Sequence, residues 1–146
     1  MTITLASTST STGAGLAPRF GARLVDAAVL AATGLAVGAV TGFGYGWFAF
    51  QLVLVAGYLV GLDVLTGATL GKSLFGLRVV AGAGDRRPSV GEACRREAFV
   101  VLGAVPFVGP VLGPLAWAAI GWSVHTSETG EGAHDRWAGT RVIATR

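Results

Sequence analysis

The sequence predicts an all-α integral membrane protein built from two helical hairpins, about four membrane helices of which the second pair is short or re-entrant. Hydrophobic residues make up 52% of the 146-residue chain and charged residues only 13%, and the mean hydropathy is +0.63. Soluble domains do not combine such values. After Asp26 no charged residue occurs before Asp63, a gap long enough for a helix to cross a bilayer and return. All eleven Lys and Arg residues fall into three groups, and the two apolar regions between them contain none.

Residues 1–17 are rich in Ser and Thr and lack both the basic start and the continuous apolar stretch of a cleaved signal peptide. They read as a disordered tail ahead of a single membrane domain at 18–146. Pro18 suits the first turn of a helix, where its missing N–H is not needed. The first apolar helix runs from Pro18 to Val40, which at about 1.5 Å per residue spans roughly 34 Å, enough to cross with some tilt. TGFGYG at 41–46 turns the chain, and Tyr45 and Trp47 suit a headgroup interface. A second helix extends from Trp47 to Leu65. Gly34, Gly38 and Gly42 in the first helix, and Gly57 and Gly61 in the second, recur every four residues; that spacing stacks small side chains on one face and admits close helix packing.

Residues 67–80, GATLGKSLFGLRVV, leave the membrane. The GKS triplet is not a phosphate-binding loop, because the glycine that motif requires falls at Thr66 and no soluble strand precedes it. Gly71 and Gly76 allow bends, and Leu77 to Val80 have the β-branching of a short strand. Ser89 and Glu92 form an S-x-x-E capping pattern that starts a helix at Val90, with Glu92 and Arg96 spaced for an i,i+4 pair and an apolar continuation. PFVGPVLGP at 106–114 breaks this helix. A shorter apolar piece, Leu115 to His125, precedes a polar C-terminal segment.

Positive charge favours the cytoplasmic side of a membrane, which assigns all three basic groups, and both termini, to the cytoplasmic face of the cell membrane. The chain then crosses an even number of times between groups. The second apolar region, with about 16 residues before the break, is short for two crossings of a core that needs about 20 each. It is either a tilted hairpin whose Pro-rich turn nears the far face or a re-entrant loop covered by protein or water; the hairpin is preferred.

Arg19, Arg23 and Asp26 share one side of the first helix. Asp26 lies about 12 Å along it, where a lone ionised Asp costs about 2.5–3.5 kcal/mol, so it must be paired, protonated or in a wet cavity. Arg23 is the nearest partner.

Three segments in order resemble the RDD family of small multi-pass membrane proteins, named for an Arg and two Asp. RFGARLVD is similar to its first-helix motif, which implies Arg19 and Asp26 as the signature Arg and first Asp. GATLGKSLFGLRVV resembles its GxTxGKxxxGLRVV segment through Gly67, Thr69, Gly71 and Lys72. HDRWAGTRVI resembles its C-terminal hDxxaGTxVv, with Asp135 as the second Asp followed by Gly139 and Thr140. The resemblance covers residues 18–144 and has no counterpart for Asp63. It implies architecture rather than an activity. Combined with the topology, GLRVV and GTRVI suit a small cytoplasmic β-ribbon joining the hairpins, with Arg19, Arg23, Asp26 and Asp135 gathered in one charge cluster.

Among function classes, nucleic-acid binding is excluded: the net charge of +3 sits in clusters beside apolar spans, without aromatic and basic residues interleaved on a solvated face. The single Cys94 permits no internal disulfide, and His125 and His134 lack neighbours at metal-ligand spacing, so no metal, cofactor or enzymatic site is expected. Two readings remain. One is proton or small-cation transport centred on Asp26, needing a homo-oligomer because four short helices offer little pathway. The other is a structural or scaffold membrane subunit, whose partner is the lipid bilayer itself.

Overall fold

A computed structural model of the chain describes residues 14–82, 85–103, 109–127 and 131–145; most of the expected N-terminal tail and residues 106–108 of the Pro-rich break lie outside them. The described residues are mostly helical. Helix α1, Leu16–Thr41, and helix α2, Tyr45–Leu65, form the first hairpin, each starting two residues earlier than the sequence suggests. They are followed by a short helix α3, Leu70–Leu74, strand β1, Leu77–Ala81, helices α4, Val90–Gly103, and α5, Gly109–His125, a short helix α6, Ala133–Ala138, and strand β2, Thr140–Ala144.

Both hairpin helices are long and apolar enough to cross a membrane. Only a narrow stripe of α1 is buried, through Ala22, Asp26, Leu30, Gly34 and Gly38 at four-residue intervals. Its other faces, and most of α2, carry exposed Leu24, Leu35, Phe48 and Val53. Water would penalise such surfaces and lipid does not. At about 1.5 Å per residue, α4 and α5 are roughly 21 and 26 Å long, shorter than a hydrocarbon core of about 30 Å.

The glycine stripe works only in part. A Cβ on Gly34 would overlap the Gln51 amide, and one on Gly38 would overlap Phe43, so at these positions α2 and the turn press directly on the α1 backbone. The Trp47 indole donates to the Gly34 carbonyl at 2.7 Å. Gly57 and Gly61, by contrast, have nothing within reach of an added Cβ, and Gly42 caps α1 at φ 83. The face predicted for the second helix is supplied instead by Trp47 and Gln51.

The break at 106–114 is also narrower than its prolines suggest. Helix α5 begins at Gly109, so Pro110 occupies its first turn, where no N–H is needed, and Pro114 lies inside it. The capping pattern forms as expected: the Ser89 N–H donates to Glu92 Oε2 at 2.8 Å and α4 starts at Val90.

The ribbon forms too. Strands β1 and β2 pair antiparallel, Leu77 with Ala144 through Ala81 with Thr140. Buried Leu77, Val79 and Val142 close against Ala22 of α1 and Ala14, whose N–H donates to the Val142 carbonyl at 3.0 Å. This core ties the last strand to the foot of the first helix.

Between α2 and β1, the GATLGK segment folds α3 onto α1. Gly67 takes φ 78, which side-chain-bearing residues rarely adopt, and its N–H caps α2 on the Asp63 carbonyl at 3.0 Å. At Gly71 the two backbones nearly touch, and a Cβ there would overlap the Ala22 carbonyl oxygen. Gly71→Ala therefore destabilises the folded chain by about 1–3 kcal/mol through overpacking, whereas Gly57→Ala leaves stability equal or slightly raised. Thermal unfolding of both variants in detergent micelles checks this, and a Gly71→Ala chain that melts with the native one would contradict the contact.

Candidate functional site: a buried charge network

The N-terminal turns of α1, the C-terminal end of α2, α3, α4 and α6 meet at one end of the hairpin, and each brings charge. Lys72, Arg96, Asp26, Asp63, Glu97 and Asp135 are buried, while the Arg19 and Arg23 side chains are 10% and 15% exposed. Isolated, such groups could not stay ionised away from water; paired, they can.

The pairing runs as a chain across the elements. Arg19 Nη1 donates to Asp135 Oδ2 at 2.5 Å, and its other nitrogens reach the Ala14 and Val142 carbonyls at 3.0 and 3.4 Å. Arg23 Nη2 donates to both Glu97 carboxylate oxygens at 2.6 and 2.9 Å. Lys72 Nζ donates to both Asp63 oxygens at 2.5 and 2.7 Å and lies 4.0 Å from Glu97. Arg96 stands in the middle, 3.2 Å from Asp135, 3.5 Å from Glu97 and 3.9 Å from Asp63.

Asp26 is held differently. Its carboxylate accepts from Thr69 Oγ1 at 2.6 Å, from the Gly71 N–H at 2.8 Å and from the Tyr58 hydroxyl at 2.8 Å. Both hydroxyls also accept backbone N–H bonds, Thr69 from Lys72 and Tyr58 from Leu70. Each therefore keeps its own O–H for Asp26, and three donors converge on one carboxylate.

The expected cluster of Arg19, Arg23, Asp26 and Asp135 is thus assembled with different partners. Arg19 and Asp135 pair, but Arg23 gives its hydrogen bonds to Glu97, because Thr69, Gly71 and Tyr58 already surround Asp26. Lys72 is the partner of Asp63, the one charge of the second apolar helix, whose role the motifs left open. Gly139 ends α6 in the left-handed conformation at φ 68, and Thr140 begins β2, buried.

Arg96 and Glu97 escape a reading by motif. The sequence pairs Arg96 with Glu92, yet Glu92 binds Arg86 at 2.6 and 2.8 Å, while Ala93, Arg96 and Glu97 share the buried face of α4. Their i, i+3, i+4 spacing on that face is the signal that points inward. Among the described residues no group of His, Cys, Asp and Glu could hold a metal ion.

Outside the spanning helices the electrostatics are directional. Burial pushes the Asp135 carboxyl up, but Arg96, His134 and Arg19 together outweigh it and hold it at about 2. Burial pulls His134 down to about 4 despite Asp135 beside it, so the imidazole is neutral at physiological pH. Burial, and next Arg96, draw the Lys72 ammonium down to about 8 against the attraction of Asp63. At the surface, the hydrogen bond from Arg86 holds the Glu92 carboxyl at about 2.

The family model described as the RDD family matches residues 13–139. No curated protein and no solved structure matches the chain.

Asp135 yields an acid-sensitivity prediction. Its carboxyl is depressed from the usual 3.8 to about 2, so its share of stability, about 2 kcal/mol, is complete above about pH 4 and lost as pH falls through about 2. Asp135→Asn removes that part of the acid transition and, by leaving Arg19 and Arg96 facing a neutral group, costs about 3–5 kcal/mol at neutral pH. Acid titration of near-UV circular dichroism in detergent, native against variant, measures both.

Proposed function

The chain belongs to the RDD family, and we propose that it exchanges protons for small cations across the cell membrane, with Lys72 and the carboxylates of Asp63 and Glu97 as the exchange centre. The observation that carries this reading is the Lys72 ammonium, buried between two carboxylates at 2.5 and 4.0 Å and drawn down to about 8. Below that pH the ammonium occupies the space between Asp63 and Glu97. Above it the neutral amine leaves uncompensated negative charge, which attracts a cation. Proton and cation thus compete for one pair of carboxylates, and a ligand that binds one protonation state better shifts the population towards it.

This reading moves the centre from Asp26 to Asp63. Three donors belonging to the fold itself occupy Asp26, and exchanging its proton would break the contact between α1 and α3. The basic groups face the cytoplasm, both termini lie on that side, and α4 and α5 make a second, short hairpin. The pathway is completed by a homo-oligomer.

The structural reading, in which the network only locks the fold of a scaffold subunit, is favoured by one specific observation: each buried carboxylate is held by groups from another element. Flux separates the two. In liposomes, cation-driven proton movement by the native chain rises as pH passes through about 8, while Lys72→Arg, which keeps the charge at all accessible pH, folds but carries at least tenfold less. Absence of flux above empty liposomes, from folded native protein tested with lithium, sodium and potassium, would leave only the lock.

A further inference from the structure

A cleft of about 590 Å3 opens beside the network, between the N-terminal turns of α1 and the C-terminal half of α5. That is within the roughly 300–1,000 Å3 of small-molecule sites. Its walls are apolar: Leu16 and Phe20 on α1 face Trp117, Ile120 and Val124 on α5. Phe20 is 57% and Trp117 41% exposed, so the walls are open to whatever surrounds the helices. The inner end is cationic, lined by Arg19, Arg23, Lys72 and Arg96, and among the described residues no acidic side chain lines the cleft.

Two of these cations have donors to spare. Arg96 is 3% exposed, and its Nε and Nη1 make no hydrogen bond despite their ion pairs. Arg23 binds Glu97 through Nη2 alone, and its guanidinium lies 5.9 Å from the Trp117 ring centroid. Guanidinium groups that are ion-paired but keep N–H donors outside any hydrogen bond, lining an otherwise apolar cleft, fit an oxyanion with a hydrocarbon tail, since a phosphate presents several acceptor oxygens to such donors.

We propose that the cleft holds one anionic phospholipid, its phosphate on Arg23 and Arg96 and one acyl chain between α1 and α5. Charge complementarity selects this occupant over a neutral or zwitterionic lipid, and the basic side of the molecule meets the leaflet that supplies anionic lipid. The site adjoins the Lys72 exchange centre, since Arg23 and Arg96 both also face Glu97, but a phosphate on the two arginines leaves the hydrogen bonds of Lys72 to Asp63 in place.

Native mass spectrometry of the full-length protein in mild detergent tests it, with phosphatidylglycerol and phosphatidylcholine of identical chains as probes. A one-to-one adduct forms with phosphatidylglycerol at a concentration at least tenfold lower than with phosphatidylcholine. Gly121 lines the cleft and has open space at an added Cβ, so Gly121→Leu fills the cleft without disturbing the ion pairs and lowers phosphatidylglycerol retention at least tenfold. Ala118→Leu does the same from the same wall. Equal binding of the two lipids by the native chain would overturn the proposal without recourse to any variant. So would undiminished retention by a folded Gly121→Leu or Ala118→Leu chain, which would mark the adduct as general surface lipid, or displacement by inorganic phosphate alone, which would make the site one for free phosphate.

Discussion

Four cations and four carboxylates gathered at one end of a lipid-facing hairpin impose the constraint from which the rest of the structure follows. An unpaired ion removed from water costs several kcal/mol even after relaxation, so every element that brings a charge to this end must also meet an element bringing its opposite. Helix α1 meets α6 through Arg19 and Asp135, and α4 through Arg23 and Glu97; α2 meets α3 through Asp63 and Lys72. Arg96, within 4 Å of three carboxylates on α2, α4 and α6, joins these pairs into one network. In lipid, where apolar surfaces gain little by packing on one another, such contacts supply much of what specifies which helix lies beside which.

The GATLGK segment shows how closely backbone and charge are fitted. Gly67 turns the chain out of α2, Thr69 and the Gly71 N–H reach Asp26, the missing Cβ of Gly71 lets α3 lie against the α1 carbonyls, and Lys72 turns back to Asp63. One six-residue stretch thereby serves both acidic groups of the first hairpin. Asp26 receives neutral donors rather than a cation, which makes it a clamp between α1 and α3 and leaves Arg23 free for Glu97.

Much of this was legible in the chain. Long uncharged runs give the hairpin, the S-x-x-E pattern gives the start of α4, and the paired GLRVV and GTRVI segments give the ribbon and hence the closeness of Arg19 and Asp135. What escaped was partner choice. Arg23 and Asp26 are three apart on one helix, and local spacing could not reveal that Thr69, Gly71 and Tyr58, from 32 to 45 residues away, take Asp26. Likewise Glu92 and Arg96 satisfy i,i+4 spacing, but burial of Arg96 among three carboxylates outweighs a surface pair worth a few tenths of a kcal/mol. The glycines mislead for a related reason: four-residue spacing states that a face is smooth, and only the opposing side chain, Gln51 or Trp47, decides whether that face is used.

Charge arithmetic connects the network to the proposed exchange. At formal charges Arg19, Arg23, Lys72 and Arg96 balance Asp26, Asp63, Glu97 and Asp135, so the ensemble is neutral with the Lys72 ammonium in place. Removal of the Lys72 proton leaves a single negative charge beside Asp63. One monovalent cation restores neutrality, whereas a divalent ion would leave an excess positive charge in a low-dielectric setting where it is costly. The arginines cannot substitute for Lys72 in this role, because a guanidinium stays protonated at any accessible pH. Of the four cations, only Lys72 can lose its charge without leaving the fold, which is why a lysine rather than a fourth arginine is suited to the position facing two carboxylates.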